Sequence, residues 1–160
     1  MIVEGTTNVG GFVGYYNSNY APNNANVTNY LGTLLTASGK VTASSTYAGG
    51  LVGQFYGMSQ NPTNAVMNLS LSSASGDVTG ASSYVGGLIG ASNALLFDQL
   101  NATGKVTQTG GNQVGGLIGA FSMVWSGLNV GGKITNSWST GEVVATATSG
   151  GYVGGLIGNS

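Results

Sequence analysis

Few residues in this chain could carry out chemistry. The 160 residues include no Cys, no His and no Arg, and the charged residues are Glu4, Lys40, Asp77, Asp98, Lys105, Lys133 and Glu142. Imidazole, thiolate and guanidinium groups, on which most acid–base, nucleophilic and anion-binding chemistry depends, are therefore missing. Asp77 and Asp98 fall at different positions of the repeat pattern described below, which disfavours a shared Ca²⁺ site. We expect no enzymatic activity, no cofactor and no metal.

One segment comes close to a nucleotide-binding motif. Gly127-Leu-Asn-Val-Gly-Gly-Lys133 resembles a phosphate-binding loop, but the next residue is Ile134. That loop needs Ser or Thr at this position to hold Mg²⁺, and it needs a helix after it. Sequons for N-glycosylation begin at Asn26, Asn68 and Asn101, which a chain rich in Asn, Ser and Thr contains by chance. Neither pattern predicts a site.

The charge and hydropathy patterns also exclude two classes of partner. The formal net charge is −1, and the three lysines are scattered, so no basic patch is available for nucleic acid or an anionic membrane surface. No apolar run approaches the roughly 18 residues of a transmembrane helix, so we expect no membrane insertion. The chain shows no signal-peptide pattern, so any secretion would be directed by sequence that is not present here.

The framework that would position any site is indicated by a six-residue glycine-rich motif that occurs five times. We call this motif the glycine phrase. It reads Val-Gly-Gly-Leu-Ile-Gly in its last three copies, and the five copies span residues 9–14, 48–53, 85–90, 114–119 and 153–158. The copies begin 39, 37, 29 and 39 residues apart, the range typical of solenoids and repeat arrays. Alternating segments such as Asn68-Leu-Ser-Leu-Ser72 indicate short strands. We predict a single all-β domain over residues 1–160, a β-solenoid (β-helix) of about four to five coils with one repeat per coil.

The glycines of this phrase are predicted to be structural. A residue without Cβ is needed where two backbones approach closely or where φ is positive. The apolar positions would stack into ladders that begin at Val9, Phe12 and Val13. Strict alternation would place the Val9 and Val13 ladders on one face and the Phe12 ladder on the other. The structural glycines are Gly10, Gly11, Gly14, Gly49, Gly50, Gly53, Gly86, Gly87, Gly90, Gly115, Gly116, Gly119, Gly154, Gly155 and Gly158.

Four of the charged residues share one repeat position, directly after a Ser-Gly or Thr-Gly corner. In chain order they are Lys40, Asp77, Lys105 and Glu142, so the signs alternate. If one repeat forms one coil, neighbours in this column lie about 4.8 Å apart along the axis. We predict an exposed charge ladder that fixes the register of the coils.

Aromatic residues cluster directly after three of the glycine phrases, in segments about ten residues longer than the corresponding segment of the remaining repeat. Insertions at one repeat position emerge on one side of a solenoid. They could cap an open flank of the core, bind a sugar or a protein partner, or make lateral contacts in a fibre. The residues of the possible binding strip are Tyr15, Tyr16, Tyr20, Phe55, Tyr56, Phe121 and Trp125.

The last repeat resembles a known family. Gly131-Gly-Lys-Ile-Thr-Asn-Ser-Trp-Ser-Thr-Gly-Glu-Val143, followed by Tyr152-Val-Gly-Gly-Leu-Ile-Gly158, is similar to the GLUG repeat of large bacterial surface and secreted proteins, including adhesins. The resemblance covers the last repeat and the glycine phrase of all five. It implies a β-solenoid spacer or an adhesive stalk, and it carries over no catalytic residue.

These observations predict a structural or adhesive element of a prokaryotic cell surface or extracellular filament. We expect the chain to be extracellular or attached to the cell surface, and its main partner to be itself, end to end. The alternative is a stalk or ligand-binding fragment of a large adhesin that recognises host glycan or protein through its aromatic insertions. An ice-binding solenoid is disfavoured because the threonines form no regular grid.

Overall fold

A computed structural model describes residues 1–17, 30–56, 68–81, 83–93, 96–121, 132–146 and 151–160. These residues form parallel strands and turns and contain no helix. The predicted all-β fold and the β-solenoid architecture are confirmed. The count of four to five coils stays a prediction, because part of the chain between successive phrases lies outside the described residues. The single-domain organisation likewise stays a prediction.

The strands stack into four parallel sheets, which we call A to D. Sheet A contains β1 (Ile2–Gly5), β6 (Lys40–Ala43), β10 (Val78–Gly80), β14 (Val106–Gln108) and β19 (Val143–Ala145). Sheet B contains β2 (Val9–Gly10), β7 (Ala48–Gly49), β11 (Val85–Gly86), β15 (Gln113–Gly115) and β20 (Tyr152–Gly154). Sheet C contains β3 (Val13–Asn17), β8 (Val52–Tyr56), β12 (Ile89–Ser92), β16 (Ile118–Phe121) and β21 (Ile157–Asn159). Sheet D contains β4 (Tyr30–Thr33), β5 (Thr36–Ala37), β9 (Asn68–Ala74), β13 (Leu96–Ala102), β17 (Lys133–Thr135) and β18 (Trp138–Ser139).

Successive repeats pair in step. Val85 of the third repeat lies between Ala48 of the second and Val114 of the fourth in sheet B. In sheet C, Ile89 lies between Val52 and Ile118. Equivalent residues therefore form columns along the axis, and we number the repeats one to five by their glycine phrases.

The interior differs from the alternating pattern that the sequence suggested. Val85, Leu88 and Ile89 of one phrase are all buried, at 0 to 1% exposure, so all three ladders face inward. The phrase is not one straight strand, because its Val-Gly belongs to sheet B and its Ile-Gly begins sheet C, with a bend between them. A chain that bends between strands does not keep the two-residue alternation of a single strand.

The buried side chains form two clusters. The larger one contains Leu51, Leu88 and Leu117 together with Phe55 and Phe97. The narrower one holds mostly valine and alanine from sheets A and B, including Val41, Val78 and Val114. Fully burying one such side chain contributes about 1.5–3 kcal/mol, so stacked columns of them can stabilise the solenoid without a disulfide.

Close backbone approach explains the glycines of the phrase. A Cβ on Gly86 would overlap the carbonyl oxygen of Ile89 in the same bend and would lie 2.7 Å from the Gly119 nitrogen. A Cβ on Gly87 would overlap the carbonyl oxygen of Gly116 in the next repeat. Among the described residues none of the phrase glycines has positive φ. The requirement is therefore steric contact with neighbouring backbone.

Sheet D contains one column of residues with a left-handed backbone. Leu34, Leu71, Gln99 and Asn136 occupy this column, with φ between 49° and 58°. The residue that follows Leu71 is Ser72, whose hydroxyl donates to the Ser70 carbonyl at 2.7 Å and accepts from the Leu35 N–H at 3.2 Å. Ser137 makes the equivalent bonds to the Thr135 carbonyl and the Leu100 N–H. Beside this column a serine hydroxyl thus provides the acceptor for a backbone N–H of the neighbouring repeat.

Candidate functional site

The proposed binding strip is divided between the interior and the surface. Phe55 is 0% exposed and Phe121 is 8% exposed, so neither presents a ring to a ligand, and this part of the strip is corrected to core. Their column includes Tyr16, which packs on Phe55 with ring centroids 4.9 Å apart. Tyr15 points outward and is 47% exposed, and Tyr56 is half-buried. Tyr20 and Trp125 lie outside the described residues.

The burial of these rings has a simple cause. Tyr15, Gln54 and Ala91 share one column of sheet C, and Tyr16, Phe55 and Ser92 share the next. Adjacent columns of a strand face opposite sides, so one points outward and the other into the core. Phe97 of sheet D extends the interior aromatic contacts, with centroid distances of 5.8 Å to both Phe55 and Phe121.

The four residues of the predicted charge ladder form one column at the N-terminal ends of the strands of sheet A. The Lys105 Nζ and the Glu142 Oε2 form a salt bridge at 2.8 Å, with both side chains largely exposed. The Asp77 carboxylate instead accepts a hydrogen bond from the Lys105 backbone N–H at 2.9 Å. Backbone bonds also link the column, because the Asp77 carbonyl accepts from the Val41 N–H and the Glu142 carbonyl from the Val106 N–H.

Asp98 has the most extensive polar contacts of the carboxylates in the described residues. Its Oδ1 accepts from the Thr135 hydroxyl at 2.7 Å and from the Asn136 amide at 2.8 Å, and its Oδ2 accepts from Gln99 at 3.2 Å. These hydrogen bonds, first that of Thr135, lower the pKa of Asp98 below its ordinary value of 3.8. The contacts join the fourth repeat to the fifth.

The structure brings together a tyrosine cluster that the sequence analysis did not identify. Tyr47 and Tyr84, each directly before a glycine phrase, stack with centroids 4.8 Å apart and ring planes inclined by 9°. Both side chains are half-buried on the outside of the solenoid. Gln54 hydrogen-bonds to the Tyr47 side chain, and Tyr15 lies close enough to act on it electrostatically. We call these four residues the tyrosine cluster.

Both stacked tyrosines have an uncommon backbone. Tyr47 has φ 54° and Tyr84 has φ 71°, values that a bulky residue seldom adopts. Their carbonyls still extend the ladder, accepting from the Val9 N–H and the Ala48 N–H. Burial and the nearby Tyr84 raise the pKa of Tyr47 above 10.0, so the phenol stays protonated at neutral pH.

A sequence signal for this cluster does exist. The residue before the glycine phrase is Asn8, Tyr47, Tyr84, Gln113 and Tyr152 in the successive repeats, so tyrosine recurs three times at one position. The predicted binding strip contains only residues that follow a phrase, so it omits these tyrosines. The bend in the phrase brings the residue before it next to the outward column of sheet C.

Other candidate chemistry is not assembled in the part of the chain that the structure describes. That part contains no group of three or more acidic residues placed to hold a metal ion. It also has no helix of the length and hydropathy needed to span a membrane. The segment that resembles a phosphate-binding loop ends at Lys133, which lies in strand β17 together with Ile134. The Ile134 side chain packs against the larger core cluster.

Comparison with known proteins finds similarity to halomucin but gives no family assignment. No protein-family model and no solved structure matches the chain. Halomucin of Haloquadratum walsbyi (strain DSM 16790 / HBSQ001) is 37% identical over an alignment of 166 residues. The alignment includes 98% of this chain. The matched region is 2% of halomucin, so the chain spans a small fraction of the relative's length.

Proposed function

We propose that this chain is a non-enzymatic structural β-solenoid of a prokaryotic cell surface or extracellular filament, and that copies of it stack head to tail. Parallel strands hydrogen-bonded along one axis give a stiff rod whose sides remain free for contacts. The similarity to halomucin, whose name classes it with mucins, supports an extracellular or surface location. The resemblance to GLUG repeats, which we retain as a proposal, supports the same setting.

Gly155 is the observation that carries the stacking proposal. A Cβ on Gly11, Gly50, Gly87 or Gly116 would overlap the carbonyl oxygen of the equivalent glycine in the next repeat. A Cβ on Gly155 would meet nothing within 4 Å. Nothing within the described residues therefore requires glycine at 155, whereas another coil placed on the fifth repeat would require it.

The two ends of the stack suit each other. On the outer side of the first repeat, Ile2 is 68% exposed and Phe12 is 53% exposed; on the fifth, Tyr152 is 53% and Val153 is 56% exposed. Continuing the register would place Val153 beside Val9 of a second copy, as Val114 lies beside Val153 within one chain. Each added copy would leave a fresh end, so such a contact propagates as a fibre.

Sedimentation velocity over a range of protein concentrations tests the stacking. We expect species that lengthen with concentration in the native chain. The Gly155→Val variant should stay monomeric and keep its circular dichroism spectrum and Tm, because the new side chain enters open space in the monomer and blocks the next coil. Thr140→Val is the matched control, since Thr140 is exposed in the same repeat, and it should assemble like the native chain.

Two outcomes would contradict the stacking proposal. One is a strict monomer at high concentration of the native chain, and the other is assembly of Gly155→Val as readily as the native chain. A strict monomer would favour another source for the coil above Gly155, namely the next repeat of a longer protein.

The second candidate function is a stalk or ligand-binding fragment of a large adhesin that recognises host glycan or protein through its aromatic insertions. It is supported by the match to a small part of a much longer relative and by the exposed ring of Tyr15. The burial of Phe55 and Phe121 removes two residues from such a surface. A host-glycan array with Tyr15→Ala as the comparison variant tests it, and binding that this variant abolishes would favour it.

A further inference from the structure

Tyr47 and Tyr84 occupy a left-handed backbone position that another residue type would fill at a lower energetic cost. Asn8 fills the same position in the first repeat with φ 53°, and Asn is among the residues best suited to this conformation. Tyr47 and Tyr84 fill it in the next two repeats with φ 54° and 71°. Strained residues persist only where the surrounding structure holds them, and they occur at functional sites. We infer that the rings, rather than the backbone geometry, account for the two tyrosines.

The cluster also has the chemical character of a binding surface. The stacked rings of Tyr47 and Tyr84 lie at the outside of the solenoid beside Tyr15, which is 47% exposed. Tyrosine offers a large, rigid, amphipathic contact area that loses little conformational entropy on binding. The neighbours that act on the Tyr47 phenol are Tyr84, Gln54 and Tyr15, and none of them is a carboxylate, ammonium or guanidinium side chain. An uncharged surface of aromatic faces, hydroxyls and one amide suits an uncharged, hydroxyl-rich partner.

We propose that the tyrosine cluster, Tyr15, Tyr47, Gln54 and Tyr84, binds a neutral polysaccharide of β-linked hexoses. A pyranose with equatorial hydroxyls has a flat face of C–H groups that packs on aromatic rings, and its hydroxyls can bond to phenol and amide groups. The cluster spans three successive repeats, so an extended chain can contact more than one ring. This inference goes beyond the structural role, because a rod could serve that role without any ligand.

The test uses the full chain with cellohexaose as the probe, measured by isothermal titration calorimetry. We expect saturable binding by the native chain. Tyr84→Asn and Tyr47→Asn each remove a ring while supplying a residue that the backbone accepts, so Tm should stay unchanged or rise. The affinity of each should fall by about tenfold, which corresponds to about 1.4 kcal/mol.

Tyr152→Asn is the matched control. Tyr152 shares the repeat position and is 53% exposed, but Gln113 of the fourth repeat separates it from Tyr84. Its substitution should leave cellohexaose binding as in the native chain. A hexamer of galacturonic acid, which is anionic, should bind more weakly than cellohexaose.

Several results would overturn the proposal. These are no cellohexaose binding by the native chain, unchanged binding by both cluster variants, an equal loss in Tyr152→Asn, or stronger binding of the anionic hexamer. If a cluster variant does not fold, the native chain is titrated with cellohexaose and the ring resonances of Tyr47 and Tyr84 are followed by NMR. Chemical-shift changes of these resonances support the site, and unchanged shifts refute it. Failure here leaves the sedimentation test of stacking unaffected, so the two proposals fail separately.

Discussion

The third and fifth glycine phrases have the same sequence but different surroundings. Val85 is 1% exposed, whereas Val153 is 56% exposed, and a Cβ would overlap backbone at Gly87 but meet open space at Gly155. The third phrase is covered by pairing on both sides, and the fifth is paired on one side only. The comparison shows that the neighbouring coil sets the demand for the second glycine of the phrase and for its apolar side chains. The first glycine is also required by its own bend, because a Cβ on Gly154 would overlap the Ile157 carbonyl.

The largest expected effect compares Gly87→Ala with Gly155→Ala. In Gly87→Ala the new Cβ overlaps the Gly116 carbonyl and lies 2.9 Å from the Ala102 Cβ. We expect a loss of about 3 kcal/mol or more, which lowers Tm by roughly 6–12 °C in a chain of this size. Gly155→Ala should change the free energy of unfolding by less than about 0.5 kcal/mol. Thermal unfolding at low protein concentration measures both, and equal losses would refute the role of the neighbouring coil.

The next effect compares truncations at the fourth position of the phrase. Leu88 is 0% exposed, whereas Phe12 at the equivalent place in the first repeat is 53% exposed. Leu88→Ala should cost about 2–5 kcal/mol because it leaves a cavity. Phe12→Ala should cost less than about 1 kcal/mol, although phenylalanine is the larger residue. Urea unfolding gives both values, and a larger loss for Phe12→Ala would contradict the assigned interior.

A stabilising substitution is expected in the left-handed column of sheet D. Leu71 has φ 49° and is 46% exposed, whereas the fifth repeat has Asn136 at the same column with φ 49°. Leu71→Asn should raise the free energy of unfolding by about 1 kcal/mol, because the left-handed conformation costs roughly that much for an ordinary residue. Leu71→Ala is the control, since it removes the apolar surface but keeps the strain. Equal stabilisation by both, in urea unfolding, would assign the gain to lost apolar surface instead.

Asp98 should make the contact between the fourth and fifth repeats depend on pH. Hydrogen bonds from Thr135, Asn136 and Gln99 lower its folded-state pKa. The ionised carboxylate therefore stabilises the fold above the unfolded-state pKa of about 3.9, and this contribution is lost as pH falls through the lower folded-state value. The Tm difference between the native chain and Asp98→Asn should be present at about pH 7 and shrink as the pH falls below about 3.9. A difference that is constant across this range would be contrary to the assignment.

The smallest effect is expected in the charge column. Asp77→Lys would give three positive charges in succession, because residue 77 lies between Lys40 and Lys105 in the column. It would also remove the carboxylate that accepts from the Lys105 N–H. Exposed pairs contribute only about 0–1 kcal/mol each, and salt screens them. We expect a small decrease in Tm that is larger at low ionic strength than at high. An unchanged Tm at low salt would refute a role of this column in fixing register.

Repetition made the architecture predictable. Equivalent glycines such as Gly86 and Gly115 must have equivalent neighbours if the coils are in step, and the structure pairs them directly. The sequence did not reveal which ladders face inward, because the bend between Gly86 and Ile89 breaks the alternation on which that inference depended. For the same reason the sequence did not show that Tyr15 is exposed and Phe55 is buried, because neighbouring residues of a strand face opposite sides of the sheet.

The tyrosine cluster escaped prediction because it depends on contacts between sheets. Tyr47 and Gln54 are on opposite sides of the glycine phrase, and the bend brings their side chains within hydrogen-bonding distance. The recurrence of tyrosine at one position indicates a column, but it does not show that the column adjoins Tyr15. Likewise, no pattern in the sequence pairs Asp98 with Thr135 and Asn136, 37 and 38 residues later.

The unequal spacing of the repeats has a consequence for how the chain folds. Val78 pairs with Val106, 28 residues later, whereas Val41 and Val78 are 37 residues apart. Loop-closure entropy grows only with the logarithm of length, so the shorter connection is favoured by about 0.2 kcal/mol. The third and fourth repeats also share the longest pairing, between β9 and β13. Folding should therefore start most often at this pair and spread outward one repeat at a time, so that substitutions there slow refolding more than equivalent substitutions in the first or fifth repeat.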